Sequence, residues 1–460
     1  MPQPNILFIL SDQQRWDSLG CYGQELPTTP NLDRLAGDGV RFLNGFSCQP
    51  VCGPARACLQ SGRYASETGC VANGIPLPAT EARLAPGLTA AGYEVGYVGK
   101  WHLAGRGHEC EPVPPEKRAG FSGFWRVADL PEYVSNGEVS VLFDEHGVEH
   151  RDHRYRADAY TDHALAFLAQ RNAARPFFLF LSYVEPHPQP YHQAYRGPEP
   201  SSRERIIRDY MRYDAPPGLS QHFANHRIPG DLAETPGDWQ VDGAYADYLA
   251  SVARVDANVG RLLDWLADEG LAEDTVVVYT ADHGCHFRTR NGNDKNTCHD
   301  ASIRVPFLLH GPGFRGGQVL DDPVSLIDLP RTLLEIAEAP IPVEMRGVDL
   351  RQLIRGTAHG RPDSVFVQTS GREPGRAVRT RHWTYAITAS PPNTAGTPSV
   401  THYVESHLYD NNEDPDQLAN RVADPALDQV RQELRGRLVA WMREIGEPEP
   451  MIACPTGDIG

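Results

Sequence analysis

The sequence predicts an α/β fold: a mostly parallel central sheet flanked by helices, with a smaller α+β subdomain at the C-terminal end. Three observations predict it. Short, continuous apolar runs alternate with longer stretches of helical periodicity, the pattern of a parallel sheet covered on both faces. Four of these runs end in polar, titratable residues, as expected where ligands sit beyond the carboxyl ends of parallel strands. After about residue 356 the strands shorten and one closing helix follows, so the chain divides into a larger unit over 1–355 and a smaller one over 356–460.

The elements follow in order. Residues 5–10 (NILFIL) form a buried strand with Ser11 and Asp12 at its end. Residues 29–35 begin a helix, with Thr29 as the cap and Pro30 in the first turn. Residues 52–62 read as a short helix, Pro54 near its start and Gly62 at its stop. A helix over 84–91 leads into a strand over 93–98, and an amphipathic helix over 158–172 into an apolar strand over 176–183. The periodic stretch 245–269 is a long helix, with Leu249, Val252, Val255, Val259, Leu262, Leu263 and Leu266 on its apolar side. Strands over 275–280 and 305–309 and a helix over 328–338 complete the larger unit. The smaller unit has strands over 365–368, 377–380 and 383–387 and a helix over 426–445. Residues 103–151 and 186–242 lack clear periodicity and read as long functional loops.

Composition narrows the function classes. The 460 residues are 40% hydrophobic, enough for a sizeable core. With 43 Lys and Arg against 60 Asp and Glu, the net charge of −17 argues against a nucleic-acid partner. The nine cysteines include no C-x-x-C pair, so neither a disulfide framework nor a zinc-finger spacing is present. No apolar stretch has the length of a membrane span, and the run at 6–10 is too short for a signal segment. The expectation is a soluble cytoplasmic protein; its oligomeric state stays open.

The strand ends carry the chemistry. Asp12 and Gln13 follow the first strand, Lys100 and His102 the second, His187 the third, Asp282 and His283 the fourth. Four strands thus deliver titratable groups to one edge of one sheet. Lys100 and His102, two apart, point the same way if the chain there is extended. The strongest local signal is Cys52-Gly53-Pro54-Ala55-Arg56, with Leu59 and Gly62-Arg63 downstream. Placing Cys52 at a helix N-terminus surrounds it with free N–H groups and positive dipole, suited to an anionic substrate. Each of these residues alone has an ordinary structural reading: a core thiol, a turn-capping carboxylate, a solvated loop lysine.

The Cys52–Arg56 segment resembles the signature of the sulfatase family, in which the Cys or Ser is converted to formylglycine by a maturation enzyme. The resemblance covers nearly the whole chain. It includes residues 5–13, 20–23, 29–35, 99–103, 186–187, 280–284, 304–306 and 408–410. It implies an alkaline phosphatase/sulfatase-like fold and a sulfuric ester hydrolase of arylsulfatase type. The implied substrate is a small sulfated sugar, aryl or alkyl compound, and the maturation enzyme is the implied partner. A hydrated aldehyde is a geminal diol: one oxygen can attack sulfur, and the other can expel sulfate by re-forming the carbonyl, an exit a serine lacks.

By the same resemblance one divalent ion is held by Asp12, Gln13, Asp282 and His283, with the Cys52 derivative completing the set. Oxygen ligands point to Ca²⁺ first, and the histidine keeps Mg²⁺, Mn²⁺ and Zn²⁺ open. Arg56 braces the nucleophile and carboxylates. Lys100 bridges nucleophile and substrate, and His102 takes the diol proton. His187 and Lys295 contact sulfate and the leaving oxygen, one of them supplying its proton, and Asn73 adds a donor to the substrate. Gln13 stands where many members have Asp. That departure, with the Cys52–Arg56 segment, is similar to phosphonate monoester and phosphate diester hydrolases of the same superfamily, the alternative reading. Lys100 and His102 argue against it. A two-zinc phosphatase lacks its extra ligand clusters here, and a non-catalytic binding protein would have lost the nucleophile or the ligands. His286, Arg288, Arg290 and His299 either line the substrate pocket or solvate a turn. Tyr183, Tyr191 and Tyr210 pack or recognise, and Cys58 and Cys70 belong to the core.

Overall fold

The first strand shows how the sheet is covered. In a computed structural model, which describes residues 3–190, 211–240, 243–358, 361–371, 374–390 and 401–455, Asn5–Asp12 forms β1. Alternate side chains point to opposite faces. Ile6, Phe8 and Leu10 enter one apolar layer and Leu7 and Ile9 the other, and all five are fully buried.

The remaining elements follow the chain. The main ones are α1 (Pro30–Asp38), β2 (Val40–Phe42), α2 (Cys52–Ser61), α3 (Leu84–Ala90), β3 (Glu94–Lys100), β4 (Phe124–Ala128), β5 (Ser140–Asp144) and β6 (Glu149–Asp152). After them come α4 (Arg156–Gln170), β7 (Phe177–Pro186), α5 (Ala244–Asp268), β8 (Thr275–Ala281), β9 (Phe307–His310), β10 (Gln318–Leu320) and α6 (Asp328–Ile336). A ten-stranded sheet has the order β10-β2-β9-β8-β1-β7-β3-β4-β5-β6. Its centre, β8-β1-β7-β3-β4, is parallel. Strands β9, β5 and β6 join it antiparallel on the two flanks. Helices α1, α4 and α5 cover one face, with Leu32, Phe167 and Val255 in its core, and α2, α3 and α6 the other, with Leu59, Leu88 and Leu333. Among the described residues no helix is long and apolar enough to cross a membrane.

The C-terminal part is a second sheet, β11 (Ser364–Thr369), β12 (Gly375–Thr380), β13 (Trp383–Ala389), β14 (His402–Asp410) and β15 (Met451–Ala453), with α7 (Asp428–Glu444) against it. The sheet is antiparallel from β11 to β14, and β15 adds in parallel.

Several expectations are corrected. Residues 103–151 are not one irregular loop, since β4, β5 and β6 extend the main sheet there. Thr29 does not cap α1 through its side chain; its Oγ1 accepts from Gly20 N and donates to Asp33. The first-turn N–H groups of Asn31 and Leu32 go instead to Asp256 of α5 (3.2 and 2.8 Å). Much of 186–242, with Tyr191 and Tyr210, lies outside the described residues. Tyr183, Cys58 and Cys70 are buried core residues.

Candidate active site

Neighbouring parallel strands end at one place because their order puts them there. Asp12 closes β1, Asp282 and His283 follow β8 on one side, His187 follows β7 on the other, and Lys100 closes β3 beyond it. Helix α2 starts against this edge with Cys52 as its first residue, and all ten of its residues are buried. Gly99 permits the convergence. Its φ is +105°, and a Cβ there would stand 1.9 Å from the Ser182 carbonyl oxygen of β7.

Asp12, Cys52, Asp282 and His283 offer ligand atoms within 4.8 Å of one another, all buried. Cys52 Sγ lies 3.5 Å from Asp12 Oδ1 and 3.2 Å from His283 Nε2. His283 Nδ1 stands 2.8 Å from the Gly284 carbonyl, which can only accept. The proton is therefore on Nδ1, and Nε2 presents a lone pair to the cluster. Gln13 has φ +62°, its backbone N–H bonds Asp282 Oδ1 (3.1 Å), and its Oε1 accepts from Lys295 Nζ (2.7 Å). Lys295 Nζ also reaches Cys52 Sγ (3.1 Å) and His283 Nε2 (3.3 Å). A cation thus already sits among these acceptors, and two buried carboxylates with an imidazole lone pair fit a divalent ion.

Positive charge surrounds the carboxylates. Arg56 Nε donates to Asp282 Oδ2 and one terminal nitrogen to Asp12 Oδ2, each at 3.1 Å. Its other terminal nitrogen donates to the Lys100 carbonyl (2.9 Å) and Ser182 Oγ (2.7 Å). Lys100 Nζ lies 2.8 Å from Asp12 Oδ2 and 2.6 Å from Glu132 Oε1. Burial opposes ionisation of Asp12, yet the fields of the neighbouring cations, Lys100 first and then Arg56 and Lys295, hold its pKa well below the usual range. Burial, reinforced by Asp12, pushes the Cys52 thiol up to about 12. Burial and then the neighbouring cations Lys100 and Arg56 hold His102 well below its ordinary value, and its Nδ1 has no hydrogen-bond partner. His187, half-buried, is lowered by burial and then by Lys295, and its Nδ1 is 2.7 Å from the Pro188 carbonyl. Asn73 Oδ1 accepts from Gly53 N (2.9 Å) at the first turn of α2.

Residues 4–339 match the sulfatase family model. The chain belongs to the sulfatase family. Residues 291–444 also match the model of the N-sulphoglucosamine sulphohydrolase C-terminal region. An ulvan-active sulfatase of Formosa agariphila is 30% identical, over 97% of this chain and 82% of that protein. Human arylsulfatase A is 30% identical, over 91% and 83%. An N-acetylglucosamine-6-O-sulfatase of Bacteroides thetaiotaomicron is 27% identical, over 76% and 71%. A protein solved in complex with D-glucosamine-2-N,6-O-disulfate has the same fold, with TM-score 0.77, 23% identity, and 97% and 99% of the two chains covered. So does the phosphonate monoester hydrolase of Agrobacterium radiobacter, with TM-score 0.69, 22% identity and 97% of each chain covered.

The sulfatase-like groups named from sequence gather as described, with one correction. The extended period-two relation does not run through His102, because β3 ends at Lys100 and His102 has φ +60°. His102 reaches its place through a turn in which Leu103 and Ala104 N–H both bond Asp129 Oδ1 (3.0 Å each). Sequence reasoning missed Glu132, Asp129 and Ser182. Only Ser182, a hydroxyl at the end of the apolar run that opens its strand, carried a local signal. Of the loop residues left open, Arg290 and His299 turn to the C-terminal sheet unit, bonding the Asp416 and Gln417 carbonyls and Tyr409. His286 is fully buried, and Arg288 pairs with Asp238.

Proposed function

We propose that this chain hydrolyses sulfate esters to an alcohol and inorganic sulfate, with Cys52 converted to formylglycine as its nucleophile. The observation that carries the reading is the meeting of Cys52 with Asp12, Asp282, His283, Lys295 and, through Asp12, Lys100 at the carboxyl ends of adjacent parallel strands. Asp12, Gln13, Asp282 and His283 would hold a divalent ion, Ca²⁺ first, which supplies Lewis-acid polarisation of a substrate oxygen.

The chain's own groups then divide the work. Lys100, with two of its three N–H groups committed to Asp12 and Glu132, offers the third to sulfate. Lys295 adds a second fixed charge. His102, neutral and with Nδ1 unpartnered, is the acceptor for the proton released as sulfate leaves. His187 has Nδ1 committed to Pro188, so in the substrate-free state Lys295 is the one of the two that carries a proton toward the leaving oxygen. Asn73 keeps its amide N–H groups for substrate. The carbohydrate names of the relatives support a sulfated sugar.

Gln13 in the ligand set, with the Cys52–Arg56 segment, favours a second reading, hydrolysis of phosphonate monoesters or phosphate diesters. The two are separated by kcat/KM for an aryl sulfate and the matching phosphonate monoester on one leaving group. A sulfate monoester presents three non-bridging oxygens to fixed cations, so we expect it to be favoured by at least about 10-fold, roughly 1.4 kcal/mol. Equal or better phosphonate hydrolysis would establish the second reading. Peptide mass spectrometry of protein co-produced with a maturation enzyme should show an aldehyde at Cys52, and Cys52→Ala should fold but not turn over. Full activity of that variant would overturn the mechanism.

A further inference from the structure

A second group of metal-binding side chains lies away from the Cys52 cluster. Cys298, His299 and His407 each offer a ligand atom within 4.8 Å of the others. Cys298 and His299 sit on the segment after β8, three and four residues past Lys295, whereas His407 belongs to β14 of the C-terminal sheet. Cys298 and His299 are each 5% exposed, and the rim residue His407 is half-buried. They line a small cavity of about 50 Å³ open to solvent, which gives an ion a path in and room for a water.

Hydrogen bonding prepares both imidazoles as ligands. Ser406 Oγ lies 3.1 Å from the Ala386 carbonyl and 3.0 Å from His407 Nδ1, so with its proton on the carbonyl it accepts from Nδ1. In that tautomer His407 Nε2 has a bare lone pair. His299 Nε2 lies 3.0 Å from Tyr409 Oη, and its Nδ1 is buried with no partner. Donation from Nε2 to Tyr409 makes Nδ1 a lone pair, whereas the other tautomer would bury an unsatisfied N–H. One nitrogen held by an oxygen and the other bare is the arrangement of a metal-bound histidine. Arg290 lines the same cavity, with its guanidinium fixed on the Asp416 and Gln417 carbonyls. Burial pushes the Cys298 thiol up to about 12 and Arg290 only partly opposes that rise, so an ion bound there displaces the thiol proton.

We propose that Cys298, His299 and His407 form a second metal site, for Zn²⁺, joining the Lys295 loop to the C-terminal sheet. One thiolate and two imidazoles are the donors Zn²⁺ prefers, with water in the fourth position. The cluster lacks the carboxylates of the Cys52 site and shares no residue with it. Bound there, the ion cross-links the loop that carries Lys295 to β14.

The test uses the full-length Cys52→Ala protein, saturated with Ca²⁺ so that the oxygen-rich cluster and its thiol do not report. Zn²⁺ is titrated in competition with a chromophoric chelator, and Co²⁺ is titrated separately. One Zn²⁺ per chain is expected, and Co²⁺ should give sulfur-to-metal charge-transfer absorption. Cys298→Ser should abolish that absorption, and Cys298→Ser or His407→Gln should weaken Zn²⁺ binding by more than about 100-fold, beyond the loss typical of an outer-shell partner. Absence of the absorption in the Cys52→Ala parent overturns the proposal whatever the variants do. So does Zn²⁺ bound as tightly without Cys298 and His407 as with them.

Discussion

Glu132 shows what one residue does at the edge of this site. Lys100 is fully buried between two carboxylates, and Glu132 Oε2 has no hydrogen-bond partner of its own. Removing one member of a buried ion group leaves the other uncompensated. Glu132→Ala should therefore destabilise the protein by about 3 kcal/mol in chemical denaturation. It should also pull Lys100 onto Asp12 and lower kcat/KM for sulfate esters, whereas Glu132→Gln, which keeps an acceptor, should lose less of both. Equal stability of Glu132→Ala and the parent would show that Lys100 does not depend on this partner. The sequence exposed Cys52, Asp12, Asp282 and Lys100 because each stands in a local motif at a strand or helix end. Glu132 was not legible, because its role comes from the lateral neighbourhood of β3 and β4, which no residue near it in sequence encodes.

At the scale of elements, β1, β7 and β8 were legible because both of their faces are buried and each carries a continuous apolar run. Strands β4, β5 and β6 of the main sheet and β14 of the C-terminal sheet were not. β6 is the polar stretch EHRD, and β14 mixes charged and apolar residues. The turn after β3 depends on one of these less legible parts. Asp129, just past β4, accepts the Leu103 and Ala104 N–H groups that place His102. Burial, aided by Glu132 and opposed by those two bonds, raises its pKa to about 7. The unfolded value is near 3.9. The folded state thus binds the proton more tightly, so this group's contribution to stability is present at low pH and declines as pH rises from about 4 to about 7. Asp129→Asn keeps the acceptor and removes the titration. The difference in melting temperature between variant and parent should grow in favour of the variant from pH 5 to pH 7.5, and a pH-independent difference would refute the assignment.

The whole molecule is arranged so that the helix that begins at Cys52 is held from both sides. Ala57 and Leu59 of α2 join the core of the ten-stranded sheet, and Cys58 joins a second core with Cys48, Tyr64, Phe366 and Val378. That second core belongs largely to the C-terminal sheet. Gln368 N of β11 bonds the Cys48 carbonyl (2.9 Å), four residues before Cys52. Phe366 meets Tyr64 edge-on at 5.4 Å and stacks on Trp441 at 6.3 Å. Asp300 takes Arg379 in a buried two-point pair (2.8 and 2.9 Å), joining the sheet to the segment after Lys295. The C-terminal unit, read from sequence as an appendage, is therefore the outer wall of the site's main helix. Phe366→Ala should cost about 3–5 kcal/mol, and Leu262→Ala, fully buried on α5 across the main sheet, about 2–5 kcal/mol. The two differ in what they touch. Loosening Phe366 frees α2 and Cys52, and if Cys52 carries the proposed nucleophile its misplacement on the order of 1 Å lowers kcat by about 10- to 100-fold. Leu262 contacts neither. With both variants assayed well below their melting temperatures, kcat should fall for Phe366→Ala and stay near the parent for Leu262→Ala. Equal kcat in the two would mean that the C-terminal sheet stabilises the fold without positioning the helix.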